Sequence, residues 1–291
     1  MRAVVKEISS GIMNARDGLS LLPFPSEVKR MSCLKKLMSL FVLLVLFALP
    51  NVRAQDAPKG KGGKDIQITW LGHAAFEIVS SGGTRILIDP FLKDNPATPV
   101  ELKDLARYKP NYILVTHSHG DHLGDAIEIA KASKAKIVAV NMPALFQKGG
   151  LPDELIQTVN VGGTVALGDV KVHVVPAMHG SEPSGRPVGY VVEFADGRSV
   201  YHQGDTWIFG DMALIQEFYH PTIILMNVGG KAYGQSPTVA LLAVNRYFKP
   251  QVIIPMHYAS MPTMSSDAEV RAALEKDKRV QFMKPGQTNL F

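Results

Sequence analysis

The sequence predicts an α/β fold in which two β-sheets pack face to face and helices cover their outer sides. The chain has two successive halves, and each begins with β-hairpins and continues with alternating strands and helices. At four places an apolar strand ends and a histidine or aspartate follows, at His117, His179, Asp205 and His257. Because loops at one edge of such sheets converge, these four side chains are expected to share a site.

Alternating or continuous apolar runs predict the strands of the first half, and glycine-rich turns separate them. The turn Ser81-Gly82-Gly83, for example, joins the second strand to the third. The predicted strands cover residues 66–70, 74–79, 85–88, 112–115 and 136–140, and the predicted helical segments cover residues 102–108, 123–134, 144–149 and 153–157.

The second half contains two hairpin signals, Gly168-Asp169 and Asp196-Gly197, followed by helix–strand units. Pro237 suits the first turn of one helix, because its missing N–H would have no partner there. The predicted strands cover residues 165–167, 170–175, 188–194, 199–202, 222–226, 251–255 and 280–283, and the predicted helices cover residues 211–219, 237–248 and 268–276.

Residues 1–54 are predicted to be an N-terminal extension that ends in a secretory signal over residues 31–54. Lys35-Lys36 precede an apolar run of 13 residues, and Val52-Arg53-Ala54 places a cleavage site near Ala54. The run is short for a transmembrane helix, although an uncleaved anchor remains an alternative. Cleavage would leave a periplasmic or secreted protein without stable membrane association. Translation from Met1 or from Met31 also remains open.

Residues 55–64 are predicted to be a flexible lead, and residues 65–291 the folded domain. The first 54 residues hold 8 of the 31 basic and 3 of the 26 acidic residues, which leaves 23 of each sign from position 55 onward. This neutral balance gives no support to nucleic-acid binding. The only cysteine is Cys33, so a metal site in the domain must use histidine or carboxylate ligands.

The segment His117-Ser118-His119-Gly120-Asp121-His122 lies where a predicted strand turns into a predicted helix. Imidazole and carboxylate groups are the ligands of zinc, iron and manganese, and a tight turn can direct all four side chains into one cavity. The glycine permits a close bend. This close, non-periodic spacing predicts a metal site.

These residues resemble the metallo-β-lactamase superfamily. The segment just described has the H-x-H-x-D-H motif of that superfamily, and His179, Asp205 and His257 follow in the same order. A closer resemblance, to a bacterial branch of uncharacterised metal-dependent hydrolases related to ascorbate-6-phosphate lactonase, rests on Trp70-Leu71-Gly72-His73, Ile88-Asp89-Pro90 and residues 201–206 and 254–258.

The resemblance implies an αββα four-layer sandwich with two divalent metal ions, zinc by preference, with manganese and iron as alternatives. One ion would be held by His117, His119 and His179, the other by Asp121, His122 and His257, and Asp205 would bridge them. Flavin-linked di-iron members have glutamate where this chain has His119, so oxygen reduction is not expected. The commonest β-lactamases use a cysteine ligand, which the domain lacks.

Three further polar residues are predicted to support the site from outside the ligand set. His73 and His202 would steady a ligand or substrate through a hydrogen bond, although each also fits an ordinary turn position. Asp89 would bond the backbone of the metal-binding turn. His173 lies in the middle of a strand and is interpreted as structural.

The predicted function is a metal-dependent hydrolase. A metal-bridging hydroxide, oriented by Asp121, would attack an ester, a lactone or a related bond in a small molecule. One alternative is a phosphodiesterase of the same fold, and another is a periplasmic metal-binding protein without catalysis. A mononuclear iron oxygenase that uses part of the ligand set is a third.

Overall fold

The structure, a computed structural model, describes residues 65–291. The predicted N-terminal extension, the secretory signal over residues 31–54 and the lead over residues 55–64 therefore lie outside the described residues.

Within residues 65–291, the first half of the chain forms most of a seven-stranded sheet, and the last strand of the chain completes it at one edge. The strands of this sheet are β1 (Gln67–Gly72), β2 (Ala75–Val79), β3 (Arg85–Ile88), β4 (Tyr112–Leu114), β5 (Lys136–Val140), β6 (Ile156–Val159) and β13 (Thr288–Leu290). Their spatial order is β13-β1-β2-β3-β4-β5-β6. Strands β3 to β6 are parallel, and the other pairs are antiparallel.

The second half forms a six-stranded sheet in the described part of the chain. Its strands are β7 (Thr164–Leu167), β8 (Val170–Pro176), β9 (Val188–Glu193), β10 (Ser199–His202), β11 (Ile223–Asn227) and β12 (Val252–Met256). Their order is β12-β11-β10-β9-β8-β7, with β10, β11 and β12 parallel.

Six α-helices occur between residues 65 and 291. They are α1 (Gly120–Leu123), α2 (Ala126–Ser133), α3 (Pro143–Lys148), α4 (Met212–Tyr219), α5 (Pro237–Tyr247) and α6 (Asp267–Leu274). None of them combines the length and the hydrophobicity that a bilayer span requires. Single-turn 3₁₀ segments occur at Val100–Leu102, Leu105–Arg107 and Asp153–Leu155.

Alternate residues of the first sheet pack into different cores. In β5, Val138 and Val140 face the second sheet, whereas Ile137 and Ala139 face helix residues such as Ile129. Since side chains alternate along a strand, this pattern places a sheet on one side of the first sheet and helices on the other. Helices also pack outside the second sheet, where Ala240 and Val244 of α5 join the core. The predicted αββα sandwich is confirmed.

The structure differs from the predicted elements in several places. Residues 153–157 were predicted to be helical, but only one 3₁₀ turn forms, and β6 follows because its residues pair in parallel with β5. Residues 280–283 were predicted to be a strand, but only Val280 bridges to Ile253. Residues 288–290 were not predicted, and they form β13 by pairing with β1. Strand pairs this distant in sequence leave no local pattern.

The helix predicted over residues 123–134 is broken at Gly124, which separates α1 from α2. Gly124 has a φ of +42°, and a Cβ there would lie 2.5 Å from the carbonyl oxygen of Pro90. This close approach lets the loop after β3 pack directly against the helix that carries His122.

Gly124→Ala is therefore expected to lower the free energy of unfolding by about 1–3 kcal/mol, because the added methyl group collides with backbone atoms and the φ is unfavourable. The matched control is Gly120→Ala. A Cβ at Gly120 meets nothing within 4 Å, so that change should be neutral or slightly stabilising. Urea unfolding of both variants checks the prediction, and equal midpoints would contradict it.

Candidate metal centre

The residues of the site follow the carboxyl ends of strands that point the same way within their sheets. His73 follows β1, and Asp89 follows β3. In the second sheet, His179, Asp205 and His257 follow β8, β10 and β12. The His117–His122 segment lies between β4 and α2. Two backbone hydrogen bonds join the sheets here. The N–H of His257 donates to the carbonyl of His73 (3.0 Å), and the N–H of Val188 donates to the carbonyl of Thr116 (3.1 Å).

One group contains His117, His119 and His179, whose ligand nitrogens lie within 4.8 Å of one another. Nε2 of His117 is 3.0 Å from Nδ1 of His119. Burial lowers the pKa of His179 and holds that of His117 well below its usual value. Both imidazoles are therefore in the unprotonated form that binds a metal ion.

A second group contains His73, Asp121, His122 and His257, again within 4.8 Å. Oδ2 of Asp121 lies 3.0 Å from Nε2 of His73 and 3.6 Å from Nε2 of His257. His73 was predicted to act outside the ligand set. Its position fits either that role or direct ligation.

Asp205 lies between the two groups. Its Oδ1 is 3.3 Å from Nε2 of His122, and its Oδ2 is 3.1 Å from Nε2 of His257 and 3.5 Å from Nε2 of His179. The carboxylate therefore faces members of both groups, as a bridging ligand must. His117, His122 and Asp205 also form a third set whose ligand atoms lie within 4.8 Å of one another.

The donor set fits metal ions. Two ligands that are each 2.0–2.1 Å from a tetrahedral ion are about 3.4 Å apart, close to the 3.0–3.6 Å separations seen here. Among the described residues, Nε2 of His122 and Nε2 of His257 are buried and make no hydrogen bond. Buried nitrogens without partners are rare, and a cation at this position would use their lone pairs.

The carboxylates control the charge of the buried histidines. Burial by itself lowers the pKa of His257, but Asp205 and Asp121 outweigh burial and raise it to about 9. Asp205 and Asp89 similarly raise the pKa of His122 well above its usual value, against its burial. Burial lowers the pKa of His73 to about 4. Loading with metal would displace protons from His122 and His257.

Asp89 bonds both the backbone and a proposed ligand of the turn that contains His117 and His122. Its carboxylate accepts hydrogen bonds from the N–H of Thr116 (2.8 Å) and the Thr116 hydroxyl (2.6 Å). It also accepts from Nδ1 of His122 at 2.7 Å. A proton held on Nδ1 leaves Nε2 of His122 free to face Asp205, which is how outer carboxylates orient histidine ligands.

His202 bonds backbone rather than ligands in the described structure. Its Nε2 donates to the carbonyl of Ala74 (2.9 Å), and its Nδ1 accepts from the N–H of Gly204 (3.1 Å). It therefore fixes the residues next to His73 and Asp205 rather than a ligand side chain. His173 bonds Thr164 and Glu193 on the strands around it, in keeping with a structural role.

Three residues at the site were missed by sequence reasoning. Asn227 bonds Asp205, Ser260 bonds Nδ1 of His73 (2.6 Å), and Glu182 lies 3.2 Å from Nε2 of His119. The only available signal was the place of Asn227 at the end of a buried strand, the same place that the ligands occupy. Serine and glutamate in loops give no comparable signal.

Comparison with known proteins agrees with this geometry. Residues 84–258 match the family model described as the β-lactamase superfamily domain, and the chain belongs to that superfamily. Relatives within this superfamily are named metal-dependent hydrolases, and their similarity to this chain identifies it as a metal-dependent hydrolase.

Two archaeal relatives are named UPF0173 metal-dependent hydrolase. The one from Pyrobaculum islandicum is 42% identical over 228 residues, which cover 77% of this chain and 99% of the relative. The one from Methanopyrus kandleri is 41% identical and covers 77% of this chain and 99% of its own. A solved metallo hydrolase, Igni18 from Ignicoccus hospitalis, is 32% identical with a TM-score of 0.69, over 78% of this chain and 98% of that one.

We predict that the purified protein contains about two equivalents of divalent metal, because two ligand groups share one carboxylate. Asp205→Ala and His122→Ala should each reduce the content to one equivalent or less. His220→Asn is the control, since His220 belongs to neither group and has the left-handed φ of 43° that asparagine tolerates. Elemental analysis measures the content, and unchanged values in both alanine variants would contradict the assignment.

Proposed function

We propose that this protein uses two divalent metal ions, zinc by preference, to hydrolyse an ester, a lactone or a related bond in a small molecule. The observation that carries the proposal is the position of Asp205, whose Oδ2 faces His179 of one group and His257 of the other. A protein that only stores metal has no need of two groups joined in this way. Manganese or iron would also suit the donors.

The site is open on one side, where a substrate can approach. The side chains of His119, Asp121 and His179 are 31%, 25% and 22% exposed, whereas those of His122 and His257 are buried. The deep side would hold the ions, and the exposed side faces solvent. When bound, the ions would lower the pKa of a water molecule and polarise a substrate carbonyl or phosphoryl oxygen.

Asp121 is the proposed catalytic carboxylate. Its Oδ2 is held by His73 at 3.0 Å, and the partial exposure of the side chain keeps it in reach of solvent. The pKa of Asp121 lies well below its usual value, because the neighbouring imidazoles of His257 and His73 outweigh burial. The carboxylate is therefore ionised, and it can orient the attacking water through a hydrogen bond.

The surroundings of the ligands favour an organic substrate. Met178 precedes His179, and Trp207 follows Asp205 by two positions. Their side chains are 55% and 59% exposed, and a backbone hydrogen bond of 3.1 Å joins them. Exposed apolar side chains next to a catalytic site commonly contact the apolar part of a ligand. Together with the neutral charge from position 55 onward, this supports a small molecule rather than a nucleic acid.

We predict hydrolysis of p-nitrophenyl acetate or of simple lactones by the metal-loaded protein, reduced at least about 100-fold in Asp121→Asn and Asp205→Ala, because each loses a group of the centre. His220→Asn should keep full activity. Turnover of bis-p-nitrophenyl phosphate alone would favour the phosphodiesterase alternative. No turnover with two ions bound would favour a metal-binding protein, and one equivalent of iron would favour an oxygenase.

We further propose that residues 31–54 direct the chain to the periplasm or the exterior and are cleaved near Ala54. The expected product in a Gram-negative host is a protein that begins at Gln55 and is released by osmotic shock. Lys35→Glu combined with Lys36→Glu should retain the protein in the cytoplasm, because the basic end of the signal is lost. Amino-terminal sequencing of the fractions measures this, and recovery of uncleaved protein in the membrane pellet would favour an anchor.

A further inference from the structure

We propose that Asn227 is a positioning residue that fixes the carboxylate of Asp205 between the two ligand groups. The inference rests on the proposed two-ion site and adds a residue to it. Asn227 is the last residue of β11 and is fully buried. Its Nδ2 donates a hydrogen bond of 2.5 Å to Oδ1 of Asp205.

The orientation of the Asn227 amide is determined by the contact of its oxygen, and its Nδ2 also donates to the carbonyl of Gly204 at 3.4 Å. Its Oδ1 accepts a hydrogen bond from the backbone N–H of Gly229 at 3.0 Å. A backbone N–H can only donate, so the oxygen must face Gly229 and the NH₂ group must face Asp205. The amide therefore cannot flip without losing both hydrogen bonds.

The amide assigns different roles to the two oxygens of Asp205. Oδ1 accepts from Asn227 and lies 3.3 Å from Nε2 of His122. Oδ2 remains to face His179 and His257, one from each group. With Oδ1 anchored, the carboxylate cannot rotate so as to turn Oδ2 away from His179 and His257. Asn227 thus determines which oxygen serves as the bridge.

The same side chain also supports His257. A Cβ at Gly229 would lie 2.6 Å from Nδ1 of His257, so the backbone of Gly229 packs directly against that imidazole. Asn227 holds this backbone through its Oδ1. The amide of Asn227 therefore fixes both the carboxylate of Asp205 and the backbone of Gly229, against which the imidazole of His257 packs.

The backbone of Asn227 is itself held on both sides by buried glutamines. Oε1 of Gln203 accepts from its N–H at 3.2 Å, and Nε2 of Gln235 donates to its carbonyl at 3.3 Å. Because the backbone of Asn227 has little freedom to move, its side-chain amide can hold the carboxylate of Asp205 in one position.

Asn95 provides a matched control. It is also fully buried, but its amide bonds only backbone atoms, the carbonyl of Phe91 (3.0 Å) and the N–H of Ala97 (2.9 Å). Asn227→Ala and Asn95→Ala therefore remove the same group from equally buried positions, and they differ in whether a proposed ligand loses its partner.

The experiment measures zinc affinity of the full-length variants by competition with a chromophoric chelator, together with thermal unfolding of the metal-free proteins. Asn227→Ala should weaken binding of at least one of two zinc equivalents by about 10–100-fold, the usual loss when a ligand's outer partner is removed. Asn95→Ala should bind within about twofold of wild type, even if both variants unfold earlier.

Asn227→Ser serves as a milder variant if the alanine variant does not fold. Serine can still accept a hydrogen bond but is too short to reach Asp205, so the same loss of affinity is expected. Two zinc equivalents bound with wild-type affinity in a folded Asn227 variant would overturn the inference and leave the proposed function intact. Absence of zinc from the wild-type protein would overturn the proposed function itself.

Discussion

Asp205 is a carboxylate removed from water, and a buried charge is costly unless its neighbours compensate for it. Four side chains do so, because His122, His179, His257 and Asn227 all lie within 3.5 Å of its oxygens. Two of these neighbours have further hydrogen bonds of their own, His122 with Asp89 and Asn227 with Gly229. Several polar contacts of the site therefore serve to compensate that one charge.

The fold concentrates these groups because strands from both sheets end at the same place. The turns after β1, β3 and β12 are tight, and their residues His73, Asp89 and His257 have φ values of 55°, 45° and 63°. Left-handed backbone is unfavourable for residues other than glycine, and it persists only where surrounding contacts compensate. The side chains of all three residues bond or face another residue of the site. These contacts can compensate for the unfavourable backbone conformation.

Much of the fold could be predicted from sequence, because each strand beside the site is an apolar run that ends in a polar residue. The motif around His117 predicted a turn between a strand and a helix, and the hydrogen bond that Asp89 accepts from the N–H of Thr116 is the contact expected of Asp89. The helix break at Gly124 and the pairing of β13 with β1 were not predicted, since both depend on contacts with distant segments. Asn227 was not predicted for the same reason, because an asparagine at the end of a strand indicates no role until its partner is known.

The sequence by itself determined the types of residue available for the site, histidine and carboxylate without cysteine, and the strand ends on which they lie. Both are local properties, since periodicity and ligand chemistry are readable within a few residues. Tertiary structure alone decided that Asp205 faces both groups, that His73 lies against Asp121 and that Asn227 anchors one carboxylate oxygen. These relations join residues 22 to 52 positions apart, and only the arrangement of distant strands side by side within each sheet brings such residues together.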